Sequence, residues 1–339
     1  MALFESLEEA LQNPAEVTEL ELFGHDLFDQ DLEVSADIIQ LTNLQSLEIC
    51  QFRNLTLPNE LADLPQLSHL VLEECQYDVI PEVVWRCRKL TSLTLDPDQS
   101  REIPPDIGHL RHLKSLTTWG VRYLPDTLAL CHHLEHLDLS YCEFPTLPRS
   151  VGELHKLKRL DLSRTPLEEL PLWLMQLPLE VLYWEGSHPN MSQHRTQPRI
   201  QQIRESWCGL TELRELYLSY QHIIDVSANV RKLTNLVRLD LSYNGLDELP
   251  EEIGTIPNLQ ELYLSGNQLT HLPTSLAQCQ SLKFLALDGN PICSVEELCG
   301  WWPQLEELHL FNTKVDPAHR LVLQAQFPNI RFRFTWDDD

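Results

Sequence analysis

Side chains that can bind a metal or move a proton crowd into one short stretch, Cys131-His132-His133-Leu134-Glu135-His136-Leu137-Asp138. His132, His133, His136 and Asp138, within seven residues, are the donor types of a zinc site or a proton relay. Ser115, His136 and Asp138 supply a second constellation, the nucleophile, base and orienting acid of ester hydrolysis. A third feature is the stretch from Ser187 to Arg204, which has no acid in a chain carrying 51 of them, and holds two His and three Arg instead. Phosphate-cradling GxGxxG and GxxxxGK patterns are missing and the chain has only 11 Gly, so a nucleotide site has no support.

Whether such groups can meet depends on the elements that carry them, and composition sets the first bounds. The 339 residues are 42% hydrophobic, enough for a sizeable core in one elongated domain or two compact ones. With 25 basic against 51 acidic side chains, net −26, the chain repels phosphate backbones and anionic lipid. Nucleic acid and membrane are therefore excluded as expected partners, and a cationic or mixed protein surface is favoured. The opening MALFESLEEA places acids where a signal peptide needs a basic and then apolar run, and no stretch reaches the length of a membrane span. A soluble, cytoplasmic protein is expected. Nine scattered Cys without a CxxC pair suit free thiols in a reducing compartment, and the glycosylation patterns at Asn54 and Asn190 are taken as chance.

An internal repeat fixes the architecture. LVRLDLSYNGLDELPEEIGTIPN from Leu236 and LQELYLSGNQLTHLPTSLAQCQS from Leu259 share the 23-residue frame Lxx-LxLxxN-xL-xxLP-xxIxxLxx. Thirteen frames open at Val17, Leu44, Leu67, Leu90, Leu113, Leu134, Leu157, Leu179, Leu213, Leu236, Leu259, Leu282 and Leu305. In seven of them a Pro stands 14 residues after the first position (Pro58, Pro81, Pro104, Pro148, Pro171, Pro250, Pro273), which leucine richness alone would not produce. LxL alternation makes a short strand with its Leu side toward a core, and the later Leu and Ile positions fold back over that core in at most a short helical turn. One unit cannot bury its own face, so units stack into a curved solenoid.

This frame resembles the leucine-rich repeat family in its intracellular LPxxIxxL type, found in free-standing bacterial repeat proteins and Ras-suppressor-like scaffolds. The resemblance runs from about Val17 to the C-terminus and implies a horseshoe whose concave parallel sheet binds another protein. It leads us to expect an α/β leucine-rich repeat solenoid of about 13–14 short strands, closed by caps at residues 1–16 and 316–339 around a single repeat domain, 17–315. Ser6-Leu-Glu-Glu9 reads as a capping box opening a helix with Phe4, Leu7, Ala10 and Leu11 on one side. Asp316-Pro317 starts a helix through Phe327, and IRFRF alternates Ile330, Phe332 and Phe334 against two arginines. With both caps present, no room for an appended catalytic domain is expected. The Asn after LxLxx survives only as Asn244, Asn267 and Asn290, while other frames carry residues such as His25, Cys75, Cys142 and Thr165. Regular inter-turn bonding is therefore expected in the C-terminal third.

The frame then sorts the candidate chemistry. His132 and His133 fall in the turn before a strand, whereas His136 and Asp138 point off the concave face, so the four do not converge on a metal. Asp in LDLS is generic to the repeat, and no oxyanion hole is in view for Ser115, His136 and Asp138. Cys87, Cys131 and Cys279 each precede a frame-opening Leu by three residues and read as buried packing thiols. On the third, fifth, seventh and eighth frame positions, the first four units present Glu19, Glu21, Glu48, Glu73, Glu74 and Asp96. From unit five onward aromatics take over: Trp119, Tyr141, Tyr183, Tyr217, Tyr220, Tyr243, Tyr263, Phe284 and Phe311, with Arg159, Arg214 and Arg238 as companions. Tyr, Trp and Arg together are the composition of a binding hot spot, although ring-on-ring packing between strands would place the same residues there. Unit eight spans 34 residues, so an insertion near 188–198 is expected at the rim, carrying His194 and Arg195 as further contacts. The function expected is a non-enzymatic module binding a protein or peptide on its concave face, without a cofactor or metal. The alternatives are a small hydrolase or metalloenzyme on His136 and Asp138, or a regulator of a small GTPase by family analogy alone.

Overall fold

The computed structural model describes residues 3–24, 30–77, 79–96, 101–187, 200–295 and 300–335. The chain divides into two compact units, Met1–Pro166 and Leu167–Asp339. His194 and Arg195 lie outside the described residues.

In the first unit eight parallel strands lie side by side: Leu3–Phe4, Glu19–Phe23, Ser46–Cys50, His69–Glu73, Ser92–Leu95, Ser115–Thr118, His136–Asp138 and Arg159–Asp161. Their register matches frame to frame, as Leu47 with Leu70 and Leu70 with Leu93. Alternation turns the frame leucines inward, and Leu44, Leu47, Leu70, Leu90 and Leu93 have no exposure at all. Each such side chain contributes about 1.5–3 kcal/mol by leaving water. After each strand from Glu19–Phe23 to His136–Asp138 the chain returns through a five-residue 3-10 turn, as at Asn59–Asp63, Pro105–His109 and Arg149–Glu153. Pro58, Pro104 and Pro148 stand immediately before these turns with extended backbone. A proline loses no hydrogen bond there, because the first amides of a helical turn have no internal acceptor.

At the N-terminal cap the Ser6 half of the expected capping box is present. Ser6 accepts the Glu9 amide at 3.2 Å and opens the helix Leu7–Ala10, whose Ala10 is buried. The strand Leu3–Phe4 ahead of it, which periodicity is too short to reveal, pairs with Glu19–Leu20.

Regular strand pairing is not confined to the frames that keep Asn. The first unit, with none, holds the longest strands, because other side chains supply part of the bonding. The Cys75 thiol donates to the Ile49 carbonyl at 3.4 Å, the Cys142 thiol to Thr118 at 3.5 Å, and the Thr165 hydroxyl to Leu162 at 2.6 Å.

The second unit contains the strands Val181–Tyr183, Glu215–Tyr217, Arg238–Asp240, Glu261–Tyr263, Phe284–Ala286, Glu307–His309 and Arg331–Arg333. The first two pair directly, Val181 with Glu215 and Tyr183 with Tyr217, although 34 residues separate Val181 from Glu215. Unit eight keeps its frame on both sides of the insertion. Leu182, Trp184, Ile200, Ile203, Trp207 and Leu210 are all buried, and Arg204 occupies the proline position with the same extended backbone, φ −73° and ψ 151°. The terminal helix Pro317–Gln326 begins at Asp316, whose carboxylate accepts the Ala318 amide at 2.8 Å. Phe332 and Phe334 are buried as the alternation requires.

Candidate functional site

The histidine cluster does not assemble. His132, His133 and His136 are exposed, the first two in the turn and the third on the strand. His136 lies in register between Ser115 and Arg159, but the Asp138 carboxylate accepts the Ser140 amide at 2.9 Å. Asp161 and Asp240 bind the amides of Ser163 and Ser242 in the same way, each at 2.8 Å. This aspartate is the repeat's device for closing the strand end. Among the described residues no three His, Cys, Asp or Glu side chains are grouped to hold a metal ion.

Charge and rings converge instead on the open face of the second unit's sheet. Tyr183 and Tyr217, on paired strands, stack at 4.5 Å between centroids and 13° between planes. Two strands further along, Tyr263 and Phe284 meet at 4.7 Å, and Phe284 meets the His309 ring edge-on at 4.8 Å. Arg238 lies between the two groups, with its guanidinium 6.0 Å from the rings of both Tyr217 and Tyr263. Its Nη2 pairs with Glu261 at 2.6 Å, and its Nη1 donates to the Tyr217 hydroxyl at 2.8 Å. That hydroxyl donates to Glu215 at 2.9 Å, and the Tyr263 hydroxyl donates to Glu261 at 2.9 Å.

Burial raises the Glu261 carboxyl, yet Arg238 and Tyr263 outweigh it and hold the group below the usual carboxylate range. Burial and the Glu261 carboxylate push the Tyr263 phenol up to about 12, so it stays a donor at neutral pH. The row ends in His309, which faces Glu307 at 2.7 Å and Asp288 at 3.6 Å, while Arg333 pairs with Glu307 at 2.8 Å. Half-buried ion pairs joined to stacked rings hold each side chain in one orientation, which lowers the ordering cost of binding a partner.

A second line of rings follows the residue by which each turn leaves its strand. There the backbone is left-handed, at Tyr141 (φ 59°) and Arg164 (φ 59°) in the first unit and at Tyr220 (58°), Tyr243 (55°), Gly266 (68°) and Gly289 (66°) in the second. The conformation costs a residue with a side chain about 1–2 kcal/mol. Tyr220 and Tyr243 nevertheless occupy it, stacked at 4.5 Å and 4°. Tyr141 carries the Arg164 guanidinium over its ring at 4.8 Å.

The structure thus unites Tyr183, Tyr217, Arg238, Tyr263 and Phe284 in one row and Tyr220 with Tyr243 in another. Trp119, Tyr141 and Arg159 belong to the first unit. The Phe311 amide donates to Asp288 at 2.7 Å, at the far end of the second unit's sheet. Arg214 does not join the rings. It stands one residue before its strand, among Glu180, Glu212, Asn235, Asn258 and Gln260 along the edge where the strands begin. Glu215, Glu261, Glu307, Asp288, His309 and Arg333 were missed at the sequence level. The tripeptide Glu-Leu-Tyr, present at 215–217 and again at 261–263, was the available signal for the first two.

On the acidic face of the first unit, Glu21 is in register with Glu48. Burial first, then Glu48, Glu19 and Glu5, raise its carboxyl above the ordinary range.

Leucine rich repeat family profiles match residues 234–292 and 133–154. Among curated proteins, the disease resistance-like protein DSC1 of Arabidopsis thaliana is 32% identical over 130 residues, covering 36% of this chain and 10% of that protein. The chain spans between 10% and 14% of the length of the first curated relatives it matches. A solved leucine-rich-repeat protein of Leptospira interrogans has a TM-score of 0.63 at 24% identity, covering 98% of this chain and 100% of that one. The Toll – Spatzle complex of Drosophila gives 0.70 at 20% identity, over 94% of this chain and 42% of the matched chain. The fold is that of a leucine-rich-repeat solenoid. The profiles match two stretches of repeat in this chain, and the solved structures share its solenoid fold.

Proposed function

We propose that this chain is a non-enzymatic, cytoplasmic recognition module of the LPxxIxxL type, which binds a protein or peptide on the open face of its second unit. The observation that carries the reading is the row from Tyr183 to His309. Large rings there are held rigidly by stacking and by Arg238, on a face that a packed core does not require. Rigid aromatic side chains beside fixed charges offer contact area with little rotamer entropy left to lose. The net charge of −26 favours a cationic or mixed partner.

The test is capture from a lysate of the source organism by the wild-type chain and by Tyr217→Ala with Tyr263→Ala. Because each ring is stacked and hydrogen bonded, the double change is expected to cost about 2–4 kcal/mol of stability. A paired Tyr→Phe control keeps the rings. A partner held by the wild type and the Phe pair, and bound at least about tenfold more weakly by the folded Ala pair, supports the reading. Identical captures by all three chains would refute it.

A further inference from the structure

The two positions that follow Tyr243 along the left-handed line are both glycine. Gly266 and Gly289 have φ +68° and +66°, and they form a shelf without side chains at two successive turns. A Cβ at Gly266 would fall 2.5 Å from Cδ1 of Tyr243, so the tyrosine ring leans over this glycine. The ring is still 45% exposed. Asp288 borders the shelf: its carbonyl accepts the Gly266 amide at 2.6 Å, and its carboxylate accepts the Ser265 hydroxyl at 3.1 Å and the Phe311 amide at 2.7 Å and faces His309 at 3.6 Å, which leaves it further acceptor capacity for a guanidinium.

The molecule itself shows what can lie on such a ring. In the first unit the residue one frame beyond Tyr141, in the position Gly266 holds relative to Tyr243, is Arg164. Its guanidinium covers the Tyr141 ring at 4.8 Å, and its Nη1 donates to the phenol oxygen. In the second unit the residue one frame beyond Tyr220 is Tyr243, whose ring stacks on it. A flat group therefore suits the space over Gly266, either a guanidinium or an aromatic ring. The Asp288 carboxylate, in a chain of net charge −26, decides for the cation.

We propose that the shelf of Gly266 and Gly289 receives an arginine side chain of the partner, stacked on Tyr243 as Arg164 stacks on Tyr141, with Asp288 as its counter-charge. The inference rests on the proposed function, since it names the chemistry of a partner that binds the same sheet face. Arginine fits better than lysine because a planar guanidinium covers a ring face while its edge still donates to a carboxylate.

The probe is a random twelve-residue peptide library selected on the full chain, with the selected peptides remade singly. We expect them to share an arginine. Replacing it by citrulline, which keeps the shape and removes the charge, should weaken binding about tenfold. Tyr243→Gly removes the platform and should cause a similar loss. Tyr243→Gly also relieves the left-handed strain, so its thermal midpoint should stay near wild type and separate lost binding from lost folding.

Peptides that need Tyr217 and Tyr263, yet bind within twofold after arginine→citrulline or Tyr243→Gly, would overturn this inference and leave the proposed function standing. The same holds for peptides whose required residue is aromatic or acidic. If no peptide is enriched, or binding ignores Tyr217 and Tyr263 altogether, both fall.

Discussion

Asn267→Ala tests how the turns of the second unit are tied together. Asn267 is 5% exposed, and its Nδ2 donates at 2.9 Å to the carbonyls of Leu241 and Leu264. Its Oδ1 accepts the Leu246 amide at 3.1 Å. The two carbonyls have a second donor each, since Asn244 also reaches Leu241 and Asn290 also reaches Leu264, both at 2.9 Å. The alanine variant leaves them bonded once instead of twice, which we set at about 0.5 kcal/mol each. The Leu246 amide has no such reserve, and Leu246 has no exposure. An orphaned buried amide costs about 1–3 kcal/mol. The variant should therefore lose about 2–4 kcal/mol. Thr165→Val, which removes a single bond to Leu162, should lose about 1 kcal/mol.

Urea unfolding gives the totals, and native-state hydrogen exchange gives the location. Leu246 should exchange faster in Asn267→Ala, while amides of the first unit keep their protection. An unchanged Leu246 rate, or a loss below about 0.5 kcal/mol, would refute the view that asparagine binds one turn to the next.

Two further outcomes follow from the titrating groups. Burial raises the Glu307 carboxyl, but His309 and Arg333 bring it below its ordinary value of 4.5. Its contribution to stability is present above that value and is lost as pH falls through the lower folded one. Burial alone would lower His309, but Asp288 and Glu307 raise it above its ordinary 6.5. Its contribution is complete below 6.5 and is lost as pH rises through the folded value, so urea midpoints should fall on both sides of mildly acidic pH. His309→Gln should remove the alkaline fall, and a fall that persists in this variant would sink the assignment. Burial pushes the Cys50, Cys87 and Cys142 thiols up to about 12 and those of Cys75, Cys131, Cys208 and Cys279 up to about 11, whereas Cys293 is exposed. A thiol reagent at pH 7.5 should label Cys293 in the native chain and the seven buried residues only after unfolding, as mass mapping would show. Rapid native labelling of any of those seven would contradict the packing described.

The first unit's acidic stretch and the second unit's rings were both legible as residue types on frame positions, because alternation alone decides which side chains leave the core. The leucine frame, the proline before each 3-10 turn, the Ser6 and Asp316 caps and the buried cysteines were legible for the same reason. Each depends on a few residues in sequence and a period that repeats. Even Arg204 in a proline position could be located, by counting back from Leu213.

Tertiary structure decided which side chains meet. Arg238 finds Glu261 and Tyr217 on the strands to either side, neighbours that only the register between turns supplies. Arg214, one residue earlier in its frame than Arg238 is in its own, lands on another edge entirely, because a shift of one position along a strand changes the surface a side chain occupies. Cys75 and Cys142 take over part of asparagine's bonding because the fold brings a carbonyl of the preceding turn within reach of each thiol. The left-handed backbone that carries Tyr141, Tyr220 and Tyr243 is imposed by the stacking of turns, against the preference of the residues themselves. Sequence determined what lies on each surface of one repeat, and only the packing of repeat on repeat determined the contacts between them.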